Sequence, residues 1–230
     1  MKLSIIIPVY NEESTIAEVI DLVNGVHLGD IEKEIIVADD GSTDQSPQII
    51  EKANEAGSAT KIHTSMINLG KGAAIRFGLE YVTGDMVIIQ DADLELNPNE
   101  YIQLIQPIIE GKTDVVYGSR FARRPITNIP LFRKVANRFL TGLSNLLYRG
   151  NLTDMETAYK VFRTKVIKSI TLRSVGFDIE AEITAKLLKS GHSILEVPIS
   201  YTPRTVHEGK KISWIDGVET IYTLLKYRFF

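Results

Sequence analysis

The feature of the sequence that most constrains its fold is a regular alternation of strand-like and helix-like segments through the first half of the chain. Residues 3–9, and residues 35–38 within the segment 34–40, are mainly apolar and rich in β-branched side chains, which is typical of buried strands. Between them, apolar residues recur at helical spacing, at Ile16, Val19, Ile20 and Val23. Such alternation predicts an α/β fold, with a mainly parallel sheet flanked by helices on both faces.

The second half of the chain is less regular but carries the same kinds of segment. Periodicity predicts helices over residues 99–110, 131–148, 178–189 and 213–227. Short β-rich runs predict strands over residues 114–120, 158–162 and 193–201. The sequence shows no repeat, low-complexity tract or clear linker, so we expect residues 1–230 to form a single domain.

Composition excludes several classes of protein. The 230 residues carry a formal net charge of -3, so we expect no nucleic-acid partner. There is no cysteine, which excludes a disulfide scaffold and a thiolate metal site. No apolar run approaches the ~18 residues that span a bilayer, and the first one is broken by Pro8. We therefore expect a cytoplasmic protein that at most lies on a membrane surface.

Three carboxylates follow the strand predicted over residues 85–90. Asp91, Asp93 and Glu95 stand at every second position, and in an extended chain such residues point to one side. Clustered carboxylates repel one another unless they are protonated or matched by a cation. Hard oxygen ligands suit Mg²⁺ or Mn²⁺. The pattern therefore predicts a metal site, and an acidic solvated loop is the alternative.

Polar clusters follow two further predicted strands, as "PVYNE" and "ADDGSTD". In parallel sheets a ligand binds beyond the carboxyl ends of the strands, so these clusters and "QDADLE" predict one common site. We expect Asp40 to form the turn and Asp39 to meet the ligand. The run "NLGKGAAIRFG" fits neither a dinucleotide fingerprint nor a P-loop, and predicts a tight turn into a helix with Lys71 as a candidate phosphate contact.

The segments "IPVYNE", "VADDGSTD" and "QDADLE" together resemble the nucleotide-sugar binding core of family 2 glycosyltransferases, which have the GT-A fold. The resemblance covers nearly the whole chain. It implies one GT-A domain over residues 1–230, with a nucleotide-sugar binding half at 1–97. The acceptor-binding half, 98–230, would hold a basic helix and a C-terminal amphipathic helix. It also implies an inverting enzyme in which Mg²⁺ or Mn²⁺ holds the diphosphate of a GDP- or UDP-hexose.

The same resemblance implies roles for individual residues. The implied metal ligands are Asp91, Asp93 and Glu95, the last standing where polyprenyl-phosphate mannose synthases usually carry Gln. The implied catalytic residues are Asp93, Arg120, Arg204 and Lys210. The implied donor-binding residues are Pro8, Tyr10, Glu12, Val37, Asp39, Asp91, Ala92, Asp93, Glu95, Arg120, Arg204 and Lys210.

Residues 115–153 contain no acidic side chain but seven basic ones among large apolar residues. This favours either a core helix with a solvated basic face or contact with an anionic membrane surface, and a nucleic-acid groove is a weaker third reading. The segments "YGSR", "DMETAYKVFR" and "YTPRTVHEGKKISW" resemble the polyprenyl-phosphate (dolichol-phosphate) hexose synthase branch. That branch implies a polyprenyl phosphate acceptor, contacts from Arg120 and Arg133, and a peripheral position on the cytoplasmic face of the membrane.

Two alternatives stay open. A phosphate acceptor is already anionic and needs no general base, but a hydroxyl of a soluble or glycan acceptor would need one. Asp154 and Glu156 are the candidate bases. The other alternative is a non-catalytic protein that binds sugar nucleotides or a membrane surface. In either case "RTVHEGKK", which includes Gly209, predicts a mobile lid over bound phosphates.

Overall fold

Seven strands join in one sheet in the order β3-β2-β1-β4-β6-β5-β7. The structure is a computed structural model that describes residues 1–58, 61–122, 130–204 and 214–230. Among these strands β6 alone is antiparallel to its neighbours, and the other pairings are parallel, as predicted. The strands are β1 (Lys2–Val9), β2 (Glu32–Asp39), β3 (Lys61–Thr64), β4 (Met86–Ile89), β5 (Val115–Ser119), β6 (Lys160–Arg163) and β7 (Leu195–Pro198).

Helices cover both faces of this sheet. In chain order they are α1 (Ile16–Gly25), α2 (Ser46–Glu55), α3 (Lys71–Tyr81), α4 (Tyr101–Ile109), α5 (Leu131–Tyr148), α6 (Thr164–Ser169), α7 (Ile179–Lys189) and α8 (Trp214–Phe229). A single 3-10 turn, Pro98–Glu100, leads into α4. Of the described residues, no helix combines the length and the apolar character needed to cross a bilayer.

The strict side-chain alternation of β1 divides the core into two layers. Ile5 and Ile7 pack in one hydrophobic cluster with apolar residues of α1, α2 and α4. Ile6 points to the other face and joins a second cluster formed with α3, α5, α6, α7 and α8. Because successive strand residues point to opposite faces, a strand that is apolar throughout is buried on both sides. This is why the first half of the sequence reads as continuous apolar runs.

The structure departs from the predicted elements in three places. Helix α6 (Thr164–Ser169) was not predicted, because its six residues follow β6 directly and are too few to show a period. Strand β4 ends at Ile89, so the carboxylate segment that follows it is not extended. Strand β7 spans only four of the nine residues predicted over 193–201. Both predicted halves contribute strands to the same sheet, and the division at residue 97 stays a prediction.

The carboxylate of Glu34 is buried near the amino ends of β1 and β2, at the end of the strands opposite to the predicted site. It accepts hydrogen bonds from the side chain of Ser4 and from the backbone and side chain of Thr83, and it pairs with Lys2 at 2.8 Å. Burial by itself would raise the pKa of Glu34, but the contacts with Lys2, Ser4 and Thr83 prevail and lower it to about 2. Glu34 thus joins β1, β2 and the turn before β4.

We predict that Glu34→Gln destabilises the protein at neutral pH by about 1.5–3 kcal/mol, the usual contribution of hydrogen bonds to a charged group. The folded-state pKa of Glu34 lies below its ordinary value of 4.5. Its stabilisation is therefore complete above about pH 4.5 and declines as the pH falls toward 2. Urea unfolding should show that wild type has the larger free energy of unfolding at neutral pH. The difference between wild type and Glu34→Gln should become smaller as the pH is lowered. A difference that stays constant or widens would contradict this role of the charge.

Candidate active site

The carboxyl ends of β2, β1 and β4 lie side by side, because these strands are neighbours in the parallel part of the sheet. The register pairs Val9 with Asp39 and Ile6 with Ile89, so the three strands end close together. The three polar loops that the sequence singled out therefore meet at one edge. This confirms the predicted convergence of the three loops. In a parallel sheet the loops beyond the carboxyl ends of neighbouring strands lie together, and ligands bind there.

The loop after β1 is held against the loop after β2 by reciprocal hydrogen bonds. The backbone N–H of Asn11 donates to Ser42 Oγ at 2.9 Å, and Thr43 N–H donates to Asn11 Oδ1 at 2.8 Å. Glu12 N–H donates to Ser46 Oγ at 2.9 Å. Asn11 takes a left-handed backbone conformation with φ of 50°, which asparagine tolerates better than most residues. These contacts fix the position of Glu12 before any ligand arrives.

Asp39, at the end of β2, has one carboxylate oxygen without a hydrogen-bond partner among the described residues. Its Oδ1 accepts a bond from Ser42 N–H at 3.2 Å, whereas its Oδ2 is buried and unmatched. Asp40 instead accepts bonds from the backbone N–H groups of Leu69 and Gly70. The expectation that Asp40 forms the turn is wrong, since Asp39 makes the turn bond and Asp40 holds the loop before α3. Asp39 still presents one oxygen to a ligand.

Lys71 is the cation that matches Asp91. It begins α3 directly after Gly70, whose φ of 107° is accessible chiefly to glycine. Its Nζ lies 2.7 Å from Asp91 Oδ1 and 3.1 Å from Glu180 Oε1. Burial would lower the pKa of Lys71, but the charges of Asp91 and Glu180 outweigh it and raise the pKa above the ordinary lysine value. The turn predicted from "NLGKG" is present, and its lysine contacts the acidic loop.

Arg204 matches the other carboxylates of the edge. Its guanidinium lies 2.9 Å from Glu12 Oε2 and 3.2 Å from Asp93 Oδ2, so it bridges the loops after β1 and β4. Its backbone N–H donates to Glu95 Oε1 at 2.7 Å, and Tyr201 Oη donates to Glu95 Oε2 at 2.6 Å. Burial would lower the pKa of Arg204, yet the bond to Glu12 and the charge of Asp93 raise it.

The predicted convergence of Asp91, Asp93 and Glu95 on one side of an extended strand is wrong. The strand has already ended, and Leu94 adopts a left-handed conformation with φ of 59° that turns the chain. Asp91 faces Lys71, whereas Asp93 and Glu95 face Arg204 and its neighbour Tyr201. Within the described part of the chain, no three acidic or histidine side chains are grouped as metal ligands.

The carboxylates of this edge nevertheless act on one another, as Asp93 shows. Burial, followed by the charges of Asp91 and Glu95, raises the pKa of Asp93 to about 7 although Arg204 opposes the shift. A carboxylate that is so reluctant to ionise gains from an added cation. The donor set consists of oxygen atoms only, as Mg²⁺ and Mn²⁺ prefer. Asp91 and Asp93 thus fit a divalent metal, and their assignment as ligands, with Glu95, stays a prediction.

The remaining donor-side residues occupy the same edge in different ways. Pro8 lies in β1, paired in register with Ala38, and Tyr10 follows the strand half-buried. Val37 is packed in the hydrophobic core, which leaves its side chain no place at the surface of the site. The carbonyl oxygen of Ala92 accepts a bond from Thr15 Oγ1 at 2.6 Å. Lys210 and the predicted "RTVHEGKK" lid lie outside the described residues, apart from Arg204 itself.

Arg120 and Asp154 form a buried two-point ion pair on the acceptor side. Arg120 Nε lies 2.7 Å from Asp154 Oδ2, Arg120 NH2 lies 2.8 Å from Oδ1, and the backbone N–H of Arg120 donates to Oδ2 as well. Asn137 adds a further bond to Oδ1. Asp154 is fully buried and saturated, so it is a structural partner of Arg120 and a poor candidate for a base. Arg133, at the start of α5, lies over the ring of Phe132.

Glu156, two residues further on, differs sharply from Asp154. Its Oε1 is buried and has no hydrogen-bond partner in the described part of the chain. Burial is the main cause that raises the pKa of Glu156 to about 7, with Glu180 and Asp154 adding to it and Lys160 and Arg120 opposing it. Of the two candidate bases, only Glu156 therefore keeps a carboxylate oxygen without a hydrogen-bond partner among the described residues.

Sequence reasoning missed the ion pairs that organise this site. Glu180, on α7, joins Lys71 to the buried Lys160 of β6, which extends the charge chain from Asp91 to the acceptor side. These residues are far apart in sequence, and no local spacing relates them. The one available signal was chemical: Lys160 and Glu180 occupy otherwise apolar strand and helix faces, where buried charges require partners.

Residues 4–171 match the family model described as Glycosyl transferase family 2. The match covers well over half of the chain, and the chain belongs to that family. The predicted family and enzyme class, a glycosyltransferase, are thereby confirmed.

Relatives support the same branch that the motifs indicated. The chain is 30% identical to dolichol-phosphate mannosyltransferase of Pyrococcus furiosus, with 99% of this chain aligned to 64% of that protein. It is 31% identical to the low-salt glycan biosynthesis hexosyltransferase Agl6 of Haloferax volcanii, with 88% of this chain aligned to 48% of that protein. The chain thus spans about half to just under two thirds of the length of these curated relatives.

Solved structures confirm the GT-A type of α/β fold. Glucosyl-3-phosphoglycerate synthase of Mycobacterium tuberculosis in complex with UDP superimposes with a TM-score of 0.76 at 21% identity, covering 99% of this chain and 80% of that one. Its complex with Mn²⁺, UDP and glucosyl-3-phosphoglycerate gives a TM-score of 0.73 at 20% identity, covering 98% and 79%. At this identity the likeness shows the fold alone.

The contrast between Asp154 and Glu156 predicts opposite effects of two similar substitutions on stability. Asp154→Asn leaves the buried Arg120 without its counter-charge, and we expect a loss of about 3–5 kcal/mol in the free energy of unfolding. Glu156→Gln should instead stabilise the protein at pH 8. The folded-state pKa of Glu156, about 7, exceeds its ordinary 4.5, so its ionisation opposes folding above that range.

Urea unfolding across pH provides the measurement. The increase in the free energy of unfolding caused by Glu156→Gln should grow as the pH rises from about 4.5 to 7. It should vanish below about pH 4.5, where the Glu156 carboxyl is protonated in both the folded and the unfolded state. If Glu156→Gln destabilises the protein at pH 8 as strongly as Asp154→Asn does, then Glu156 also has an internal partner and the contrast is wrong.

Proposed function

We propose that this chain transfers a hexose, mannose or glucose, from a nucleoside-diphosphate sugar to a polyprenyl phosphate, with inversion at the anomeric carbon. The observation that carries the proposal is the bridge of Arg204 between Glu12 and Asp93, at the strand ends that also hold Asp39 and Asp91. It brings a cation able to bind phosphate next to carboxylates able to hold a metal. The similarity to dolichol-phosphate mannosyltransferase supports this choice of acceptor.

Asp39 supports a nucleotide base as the innermost part of the donor. Its unmatched buried oxygen is a strong acceptor that suits a ring or exocyclic N–H group. Guanine and uracil both offer such a donor, so GDP- and UDP-hexoses satisfy the same contact. The diphosphate of either one would then extend from the end of β2 toward the loop after β4.

The neighbouring carboxylates support dependence on Mg²⁺ or Mn²⁺. Asp91 and Asp93 would hold the ion, which would offset the negative charge that develops on the departing diphosphate. Lys71 and Arg204 lie within contact distance of these carboxylates and can neutralise phosphate oxygens as well. These residues bind and orient the donor, so that its anomeric carbon faces the acceptor side of the site.

Saturation of Asp154 supports a phosphate acceptor over a hydroxyl. A phosphate monoester is anionic near neutral pH and attacks without transferring a proton to the enzyme. A single displacement, with the acceptor oxygen opposite the leaving diphosphate, inverts the anomeric configuration. Arg133 can contact the acceptor phosphate directly. Arg120 is paired with Asp154, so it would contact the phosphate and that carboxylate at the same time. A hydroxyl acceptor remains the second candidate because Glu156 retains an oxygen and a pKa of about 7.

The outer surface of α5 supports attachment to an anionic membrane on its cytoplasmic face. Large apolar side chains are exposed there, with Phe132 68%, Phe139 60% and Leu146 79% accessible. Basic residues lie between them, including Lys134 and Arg138. On α8, the C-terminal amphipathic helix, Trp214 and Val218 are likewise exposed, but Ile221 packs against the core, so the apolar side of this helix is only partly available. Such a mixture suits a headgroup boundary.

A donor panel tests the proposed reaction. Incubation of GDP- and UDP-hexoses with a short polyprenyl phosphate and Mn²⁺ should yield a polyprenyl-phosphate hexose, detected by mass spectrometry. Asp93→Ala should abolish turnover and metal-dependent donor binding yet leave the fold intact, because it relieves repulsion by Asp91 and Glu95. Asp21→Ala, on the exposed side of α1, is the control and should behave as wild type. Donor binding to Asp93→Ala that calorimetry finds unchanged and insensitive to a chelator would refute the metal assignment.

Flotation with liposomes tests the membrane proposal. At low salt the protein should float with vesicles that contain acidic lipid, and high salt should release it. Each basic residue near such a surface contributes about 1 kcal/mol, so reversing Lys134 and Arg138 to Glu should weaken binding at least tenfold. Reversal of Lys52 and Lys112, on the opposite side of the sheet, is the matched control and should have little effect. Protein that stays at the bottom of the gradient in low salt would favour the soluble acceptor.

A further inference from the structure

Four carboxylates are gathered around the loop that connects α5 to β6, and three of them are paired with cations or with backbone N–H groups. Asp154 binds Arg120 and Asn137. Glu180 pairs with Lys71 and Lys160. Glu196 accepts hydrogen bonds from the backbone N–H groups of Thr153 and Asp154. Glu156, by contrast, has one buried carboxylate oxygen without a hydrogen-bond partner among the described residues.

The position of Glu156 gives that oxygen its significance. The charges that act on Glu156 include Lys160 and Glu180, which are linked through Lys71 to Asp91 at the donor edge. They also include Arg120 and Asp154, the ion pair of the acceptor half. Glu156 therefore lies between the groups proposed to hold the diphosphate and those on the acceptor side. In a transfer reaction, the sugar occupies the space between leaving group and acceptor.

We propose that the Glu156 carboxylate accepts a hydrogen bond from a hydroxyl group of the donor hexose and so selects the sugar and orients its anomeric carbon. This inference rests on the proposed function. A hexose hydroxyl is a neutral donor that matches a buried acceptor lacking a partner, and hydrogen bonds to a charged acceptor are among the stronger ones. A nucleoside diphosphate without sugar has no hydroxyl to offer at that point.

This role differs from that of a general base in a way that binding can detect. A base acts on the acceptor, and its loss changes turnover without changing the affinity for the donor in the absence of acceptor. A sugar-binding carboxylate changes the affinity for the nucleotide sugar but leaves that for the nucleoside diphosphate unaltered. The difference between the two ligands isolates the hexose contact, because base, ribose and diphosphate are common to both.

The test is calorimetric binding of UDP, UDP-glucose, GDP and GDP-mannose in the presence of Mn²⁺ and without acceptor. In wild type the matching nucleotide sugar should bind more tightly than its nucleoside diphosphate. Glu156→Ala should lose about tenfold or more of the affinity for the nucleotide sugar, with that for the nucleoside diphosphate unchanged. Glu156→Gln, which keeps a carbonyl acceptor, should recover part of the loss.

Glu196→Gln is the matched control, since it removes the same charge beside the same Asp154 from a carboxylate that is already bonded. It should retain the full difference between the two ligands. Donors that have one hexose hydroxyl replaced by hydrogen extend the test, because the analogue that lacks the bound hydroxyl should be insensitive to Glu156→Ala.

Two results would overturn the inference and leave the proposed function standing. One is a Glu156→Ala variant that binds both ligands as wild type does but no longer turns over, which would make Glu156 a base or a water-linked structural group. The other is an equal loss for both ligands. By contrast, a wild-type protein that binds none of the four ligands would refute the proposed function itself.

Discussion

The arrangement depends on one electrostatic constraint, which is that the carboxylates beyond β1 and β4 cannot lie together without cations. Two cations from different parts of the chain meet that requirement: Lys71 at the start of α3 and Arg204 after β7. Arg204 is separated from Glu12 by 192 positions in sequence. The need to bring these charges together ties the last part of the described core to its first loop. The ion pairs of the site therefore also link parts of the chain that are distant in sequence.

The same balance explains what a ligand would have to bring. At the described edge Lys71 contacts Asp91, the guanidinium of Arg204 contacts Glu12 and Asp93, and Glu95 accepts a bond from the backbone N–H of Arg204. A diphosphate alone would bring further negative charge beside these carboxylates, and it would compete with Glu12 and Asp93 for Arg204. A donor accompanied by a divalent ion avoids this conflict, since the carboxylates and the basic side chains then each have a partner. Charge balance thus favours joint binding of metal and diphosphate.

Much of the fold could be predicted from the sequence because its signals are local. Apolar strands, helical periodicity and the polar residues that follow each strand are all contained within a few neighbouring positions, and they yielded the parallel sheet and its carboxyl edge. The partners of Asp91 and Asp93 could not be predicted, because Lys71 and Arg204 reach them only through tertiary structure. The same holds for the turn at Leu94, where a left-handed residue ended an alternation that had suggested three converging carboxylates. Motif resemblance named the residues of the site but did not show how they pair.

Helix α5 shows how the acceptor side and the outer surface are connected. Part of its inner face is polar: Asn137 bonds Asp154, Thr141 accepts from Met155 N–H, and Asn145 exchanges two bonds with Leu152. Because these positions hold the loop that carries Asp154 and Glu156, they are not available for core packing. Leu140 and Tyr148 still pack in the core, whereas Phe132, Phe139 and Leu146 lie exposed on the outer face, so the helix carries large apolar residues on both faces. A rigid helix that fixes the acceptor loop on one side and presents an apolar, basic surface on the other would place the site at a constant distance from whatever that surface binds. For an acceptor whose phosphate is confined to a lipid headgroup layer, such a fixed distance is what the reaction requires.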